Sequence, residues 1–482
     1  LSDARSNAPA IETHGRTMNQ PIGMQTSTSS DEAAPRQTGQ LGLIACIALV
    51  VGNMIGSGIF LLPAALAPFG AISVAGWVVT SFGAIALALI FGRLARLTSR
   101  PGGPYAYTRE AFGDFAGFLI AWGYWIALWS GNAAVAVAFV GYIGYVVPAV
   151  GENNLYGLGV ALTAIWFLTM INIRGIEGAG FVQVLTTVLK VLPLLALGIL
   201  GWAWLDTSHF TPVNTSELPD YAAVSATAAL TLWAYLGLES ATVPSGNVYR
   251  PEVTIPRATI IGVLFAAVIY ISVTVVAIGV LPKDLLAASS APLADVAMAM
   301  WGPVGGVLIA LGAIISTFGT LNGFTLLSGQ VPYGAALDRV FPEEFASVSD
   351  RGTPANALVV SNLLASGLVI MNFSKGLVEA FTFIILLATM ASLVPYAFCA
   401  VAEIMIRVVR GHSLNDPGLA GVVGLGAVGF LYSIWAVYGS GADVVFFGFL
   451  LLLAGVPVHA LIRWRQARND ASSSSNNPAI GG

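Results

Sequence analysis

Two interruptions of apolar sequence hold the residue types that can do chemistry. The first lies in Val50 to Ala64 (VVGNMIGSGIFLLPA), where Gly56-Ser57-Gly58 break a membrane-grade segment. An unwound turn at membrane depth frees backbone N–H and C=O groups, which is tolerated only where they line a cavity or hold a ligand. A half-helix resuming near Ile59 would aim its free N–H groups and positive dipole end at that cavity, a setting suited to a carboxylate. The second interruption, Tyr235-Leu236-Gly237-Leu238-Glu239-Ser240, puts an ionisable residue in an apolar stretch. A charge there costs about 2.5–3.5 kcal/mol or more and marks a functional position by default. Glu239, desolvated there, can take up a proton; its other possible task is to hydrogen-bond the N–H groups that the break frees. Lys190 is the second deep ionisable residue. Its span extends about ten residues before it and fifteen after it, too far for the ammonium to snorkel to an interface. It is expected to bridge the first and eighth spans as a bound cation would.

Aromatic residues cluster near these breaks. Trp233 and Tyr235 flank the second one, and Tyr124, Trp125 and Trp129 share the third apolar span with Asn132. An aromatic face can stack on a cationic or planar group for about 0.5–2 kcal/mol. Trp233, which adjoins the break, is the strongest candidate; other membrane aromatics serve more often in packing or interfacial belts. Asn132, in an otherwise apolar helix, needs a partner, either a neighbouring helix or a substrate.

The elements that must position these residues follow from composition. The 482 residues are 56% hydrophobic and 9% charged, with a mean hydropathy of +0.82, far from the roughly 25% charged residues of a soluble domain. Uncharged runs from Arg36 to Arg93, Asp114 to Glu152 and Asp295 to Asp338 each exceed the roughly 20 residues that one helical span needs. Twelve spans are predicted: Leu41–Phe69, Ile72–Leu97, Phe115–Val147, Leu155–Ile173, Gly180–Leu205, Tyr221–Asn247, Thr259–Leu281, Pro303–Tyr333, Pro354–Met371, Leu377–Val408, Leu419–Tyr438 and Val444–Ile462. A polar loop with Arg100, Pro101-Gly102-Gly103 and Arg109 joins the second to the third. Breaks in the first and sixth spans are what an inverted five-plus-five repeat predicts for a secondary transporter. The expected organisation is a disordered cytoplasmic tail over 1–39, five-helix repeats over 40–205 and 206–408, spans eleven and twelve over 409–463, and a cytoplasmic tail over 464–482. The chain starts at Leu1, and Met18 and Met24 are candidate starts.

Lys and Arg prefer cytoplasmic loops. With twelve spans and both termini inside, 17 of the 20 fall on the cytoplasmic side, Lys283 and Lys375 outside, and Lys190 within a span. The class of protein is narrowed further by what does not assemble. His14, His209, His412 and His459 are dispersed, so no metal cluster or catalytic triad is expected. Cys46 and Cys399 sit in apolar segments as small core residues. The basic residues are scattered one or two per loop, unlike a nucleic-acid footprint. The chain is therefore not expected to be an enzyme, to use a metal or cofactor, or to bind nucleic acid. Its expected partners are the lipid bilayer and a small amino acid or amine, and a homodimer is compatible with the sequence.

These residues resemble a known family. GNMIGSGIFLLPA in the first span, PGGPYAY after the second, YWIALWSGNAA in the third, LWAYLGLESA in the sixth and LVPYAF in the tenth are together similar to the amino acid–polyamine–organocation superfamily. Within it they are most similar to the basic amino acid/polyamine antiporters, arginine/agmatine exchangers in particular. The resemblance, over roughly Leu41 to Arg463, implies an all-α LeuT-type fold and exchange of an amino acid for a related amine across the inner membrane by alternating access. It implies that the Gly56, Ser57 and Gly58 turn binds the substrate carboxylate, bordered by Asn53 and Ile55. Carbonyls around Trp233 and Leu236 would receive the α-ammonium, and Trp233 would cap the substrate from the periplasmic side. Asn132 would face the distal group, Glu239 would sense protons, and Tyr124 and Tyr396 would gate.

Three positions depart from the arginine/agmatine pattern. Phe324 stands where a tryptophan stacks on the guanidinium, Leu128 replaces a small cysteine, and Lys190 is similar instead to the fifth-span lysine of exchangers in which it stands in for sodium. The alternative reading is a proton-coupled symporter or exchanger of neutral amino acids.

Overall fold

A break at membrane depth has to be tied to its surroundings, and the architecture shows how. The computed structural model describes residues 41–97, 103–175, 179–242, 248–372, 376–411 and 418–475. The amino-terminal tail with its three arginines and His14, Arg100, Pro101-Gly102, the end of the sixth span at 243–247, Lys375, His412 and residues 476–482 lie outside the described residues.

The first span is two half-helices, α1 (Leu43–Met54) and α2 (Ser57–Leu66), separated by Ile55 and Gly56. The second half begins at Ser57, two residues before the Ile59 that the sequence suggests, because the non-helical turn is confined to Ile55 (φ −78°, ψ 89°) and Gly56 (φ −133°, ψ −138°). The second span is α3 (Ile72–Leu97). The predicted polar loop after it contains a helix, α4 (Pro104–Phe112), with Pro104 in its first turn and Tyr105, Tyr107 and Thr108 buried, as expected where proline loses no needed N–H. The third span, α5 (Asp114–Val146), has 33 residues, about 50 Å of helix at 1.5 Å per residue, so it must tilt steeply. A short α6 (Pro148–Glu152) leads to α7 (Asn154–Arg174), whose N-cap Asn153 accepts from the N–H groups of Leu155 and Tyr156. Next comes α8 (Ala179–Leu200), continued by a 3₁₀ turn over Gly201–Trp204.

The sixth span repeats the theme of the first. It begins as α9 (Asp220–Leu232), tightens into 3₁₀ turns at Trp233–Tyr235 and Ser240–Thr242, and is unwound between them at Gly237. The seventh, α10 (Pro251–Val280), starts eight residues before the predicted Thr259. Pro251 suits a first turn, and Pro256 leaves the Glu252 carbonyl without its helical donor, a place taken by Arg96 Nε at 3.1 Å. After α11 (Lys283–Ala288), α12 (Pro292–Leu337) is broken by Gly302 at φ +75°, so the eighth span starts at Pro303 as its sequence suggests. The last elements are α13 (Ala355–Asn372), α14 (Leu377–Val409), α15 (Leu419–Gly439), α16 (Ala442–Leu453) and α17 (Gly455–Ser475). The twelfth span runs on as helix to Ser475 instead of ending at Ile462, because Gln466 donates to the Arg339 carbonyl and Arg465 pairs with Glu344.

Eleven of the helical segments among the described residues are long and apolar enough to cross a membrane, and Ala355–Met371 is a shorter twelfth. Their packing has the symmetry that five-plus-five implies: α1 packs on α10 as α9 packs on α3, and the symmetry mates α3 with α10, α5 with α12, and α7 with α13 pack on each other. Five spans per repeat, an odd number, force the second repeat to enter from the opposite face, which inverts it. One face is tied by ion pairs: Glu403 receives both Arg93 (2.8 Å) and Arg407 (2.9 Å), and Arg410 meets Glu110 (2.7 Å).

Glycines allow several of these crossings. A Cβ at Gly76 of α3 would stand 2.7 Å from Thr227 Cβ and 3.0 Å from the Thr227 carbonyl carbon on α9, whereas one at Gly159 meets open space. Overpacking of this kind costs about 1–3 kcal/mol. Gly76→Leu is therefore expected to lower the temperature at which the detergent-solubilised protein loses its monodisperse chromatographic peak, while Gly159→Ala leaves it unchanged.

Candidate functional site

The two breaks abut. A Cβ on Gly58 would lie 3.0 Å from Ala234 Cβ, one on Gly237 3.0 Å from Asn53 Cβ, and one on Gly56 2.7 Å from Thr320 Cγ2 of α12. Glycine is needed at these points for backbone approach as well as for unwinding, and Gly237 also takes φ +99°, a region open to glycine at no steric cost.

A cavity of about 20 Å³, room for one water, opens beside the breaks and is lined by Asn53, Tyr124, Leu128, Leu236, Glu239 and Phe324. Six of the residues singled out from sequence thus share one wall. Gly237 and Ser240 of the second interruption also line it, together with Ala127, Leu327 and Ser392, which the sequence does not single out. Helical spacing from foreseen residues carries the missing signal: Leu327 is three positions from Phe324, and Ser392 four from Tyr396. Ligand pockets of ~300 Å³ or more are usual, so an amino acid enters only if these walls part.

Ser57, Gly56, Gly58, Ile55 and Trp233 stand behind this wall. Trp233 Nε1 donates to Ser57 Oγ at 3.3 Å, linking the sixth span to the first turn of α2. The Trp233 ring lies on Phe324, centroids 6.0 Å apart at 38°, and both rings press on Gly131 of α5, where a Cβ would sit 2.7 Å from Phe324 and 2.9 Å from Trp233. The two candidate stacking residues therefore close on each other, an aromatic pair that a planar or cationic group could enter.

Glu239 is 1% exposed. Tyr124 donates to its Oε1 at 2.6 Å and Tyr396 to its Oε2 at 2.7 Å. The carboxylate thus joins the sixth span to α5 and α14 through both oxygens. Protonating it would turn one acceptor oxygen into a donor and release or reverse a tyrosine bond, so proton occupancy and helix contact are coupled by geometry.

Lys190 donates to the carbonyl of Gly52 on α1. In an unbroken helix that carbonyl would take the Gly56 N–H, but Gly56 N bonds Met54 O at 3.0 Å, which leaves Gly52 O for the ammonium. Only the first-span half of the expected bridge is formed: α8 packs on α12, yet the described contact of the ammonium is with α1 alone, because the freed carbonyl is there. Asn132 has partners on neighbouring helices, one of the two settings that its place in an apolar span calls for. It is fully buried, off the cavity wall, and its Nδ2 donates to Thr325 Oγ1 (3.0 Å) and Asn362 Oδ1 (2.7 Å). Its Oδ1 has no partner. Neither Thr325 nor Asn362 is singled out by the sequence reading; for Asn362 the signal is an Asn amid the apolar residues in the middle of α13.

Among the described residues no group of three His, Cys, Asp or Glu could hold a metal ion, and Cys46 and Cys399 are buried and free. A family model described as amino acid permease matches residues 41–456. The chain is 35% identical over 461 residues to a putative arginine/ornithine antiporter of Bacillus subtilis, covering 88% of this chain and 97% of that one. It is 32% identical to a putrescine transporter of Escherichia coli over the same shares, and 34% identical to a cadaverine/lysine antiporter of that organism, over 75% of this chain and 82% of that one. Both the length of the match and the level of identity lead to one conclusion: the chain belongs to the amino acid permease family, within the amino acid–polyamine–organocation superfamily.

Proposed function

We propose that the protein exchanges a basic amino acid for a related amine or amino acid across the cell inner membrane by alternating access, with both termini cytoplasmic. The carrying observation is the contact of the two breaks beside the cavity: the Gly56–Gly58 turn and the N-terminus of α2 stand next to Trp233, Leu236 and Glu239. Free N–H groups at a half-helix start suit the carboxylate of any amino acid, and freed carbonyls of the sixth span suit its ammonium. Leu128, Phe324 and Asn53 on the wall meet the rest of the molecule. The names of the relatives pair arginine with ornithine and lysine with cadaverine, or specify putrescine. That breadth extends the cargo from arginine and agmatine to ornithine, lysine and their diamines.

A second reading has its own observation. Lys190 on the Gly52 carbonyl sets a protein-borne cation against the first-span break, which favours proton-coupled transport of neutral amino acids.

The two readings separate in liposomes preloaded with labelled substrate. Efflux is expected to require external arginine, ornithine, lysine, agmatine or putrescine; full-rate efflux into empty buffer decides for the symporter. Trp233→Leu removes the stack on Phe324 and the bond to Ser57. It is expected to reduce exchange about tenfold or more with the chromatographic profile unchanged, and near-normal exchange would remove Trp233 from the site. Glu239→Ala is expected to flatten the pH profile of exchange, read as initial rates across pH 5–8; an unchanged profile leaves Glu239 as a structural tie.

A further inference from the structure

Away from the transport site, a pocket of about 360 Å³ lies where the end of α12 and the following turn, Glu343–Ala346, meet α17. One wall is a single face of α17, because Val458, Leu461, Ile462, Arg465, Gln466 and Asn469 recur at the three- and four-residue spacing of a helix. That face changes character along its length. Its first turn is aliphatic, its next two are cationic and amide, and the change spans about 10 Å at 1.5 Å per residue. The opposite wall repeats the gradient, with Phe341 and Pro342 at the floor and Arg339 and Glu343 at the rim. Trp464, 59% exposed with Arg468 stacked over its ring at 5.7 Å, marks the level where the apolar layer meets the headgroups. Leu337 and Leu461, beside the pocket, are 58% and 45% exposed.

The charges at the rim narrow the ligand. Arg465 is already matched by Glu344 at 2.7 Å. Arg339 and Glu343 have no ion-pair partner among the described residues, so the rim offers one unmatched cation and one unmatched anion above an apolar floor. We propose that this pocket holds a membrane phospholipid whose headgroup carries both a phosphate and a primary ammonium, a phosphatidylethanolamine. Its phosphate is received by Arg339 with Gln466, its ammonium by Glu343, and an acyl chain lies on Phe341, Val458 and Leu461. A guanidinium gives the phosphate two parallel donors. A choline headgroup has no N–H to give Glu343, and a glycerol headgroup leaves it uncompensated.

Native mass spectrometry of the full-length protein, exchanged against phosphatidylethanolamine, phosphatidylcholine and phosphatidylglycerol of the same acyl chains, tests this. Phosphatidylethanolamine is expected to be retained preferentially. Arg339→Ala is expected to weaken that retention about tenfold, the loss of a charge-assisted bond. Glu343→Gln should abolish the preference over phosphatidylglycerol while leaving total lipid retention. Both side chains are exposed, and an unchanged chromatographic profile shows that each variant folds. Equal retention of all three lipids, or no effect of Arg339→Ala, overturns the proposal. Displacement of the lipid by soluble phosphoethanolamine at equal concentration would assign the pocket to a free phosphate ester, and retention seen only after deletion of residues 1–39 would assign it to the chain's own tail; either result also overturns it.

Discussion

The structure depends on one constraint: inside a bilayer every backbone polar group must find a partner within the protein. Both broken spans violate the regular helical solution, and the neighbouring helices repair the violation. The Gly52 carbonyl, abandoned by the Gly56 N–H, is taken by Lys190. The Ala234 carbonyl, left by the Leu238 N–H, is taken by the Tyr270 hydroxyl at 2.9 Å. Within the sixth-span break the chain turns on itself, with Leu236, Leu238, Ser240 and Thr242 each bonding the carbonyl three residues back. A tighter 3₁₀-type turn is the cheapest way to keep donors satisfied when the α-helical pattern is lost.

That repair decides what the site can be. The glycines that permit unwinding also let the breaks meet: Gly58 lies on Ala234, and Gly237 on Asn53. Two irregular turns in contact then share one small cavity, and the polar groups around it are held by long helices that pack as symmetry mates, α5 on α12 and α3 on α10. Glu239 is the densest junction, since Tyr124 and Tyr396 reach it from two different helices. A one-proton change there alters how three spans are tied together. A buried carboxylate with two oxygens bonded is costly to leave half-satisfied.

The asymmetry across the membrane has a parallel physical origin. Arginines at one end of the bundle find carboxylates at the helix ends there, Glu403 with Arg93 and Arg407, Asp114 with Arg109 and Arg463, and Glu110 with Arg410. Exposed pairs of this kind contribute little singly. Glu403 is different: it is 3% exposed and receives two guanidinium groups, Arg407 from its own helix and Arg93 from α3, so separating α3 from α14 would remove one of the two charges that compensate it.

Much of this was legible in the chain itself. Apolar runs, charge distribution and small residues determined the number of spans, the two broken ones and the residues beside them, because length and polarity at membrane depth admit few alternatives. Tyr124, Leu236 and Glu239 stand out from the residues themselves, and the family resemblance adds Asn53, Leu128 and Phe324. Contacts between spans could not be read that way. Asn132 bonds Thr325 and Asn362, Trp233 lies on Phe324, and Lys190 reaches the Gly52 carbonyl of α1. The buried helix α4, the early start of α10 and the continuation of the last span to Ser475 belong with them, since each is held by a partner distant in sequence. The sequence by itself determined which residues are too polar or too small to be idle in a membrane. Only the tertiary structure decided which of them satisfy one another and which face the cavity, because a hydrogen-bond donor's partner depends on how helices cross, and that is set by packing across the whole bundle.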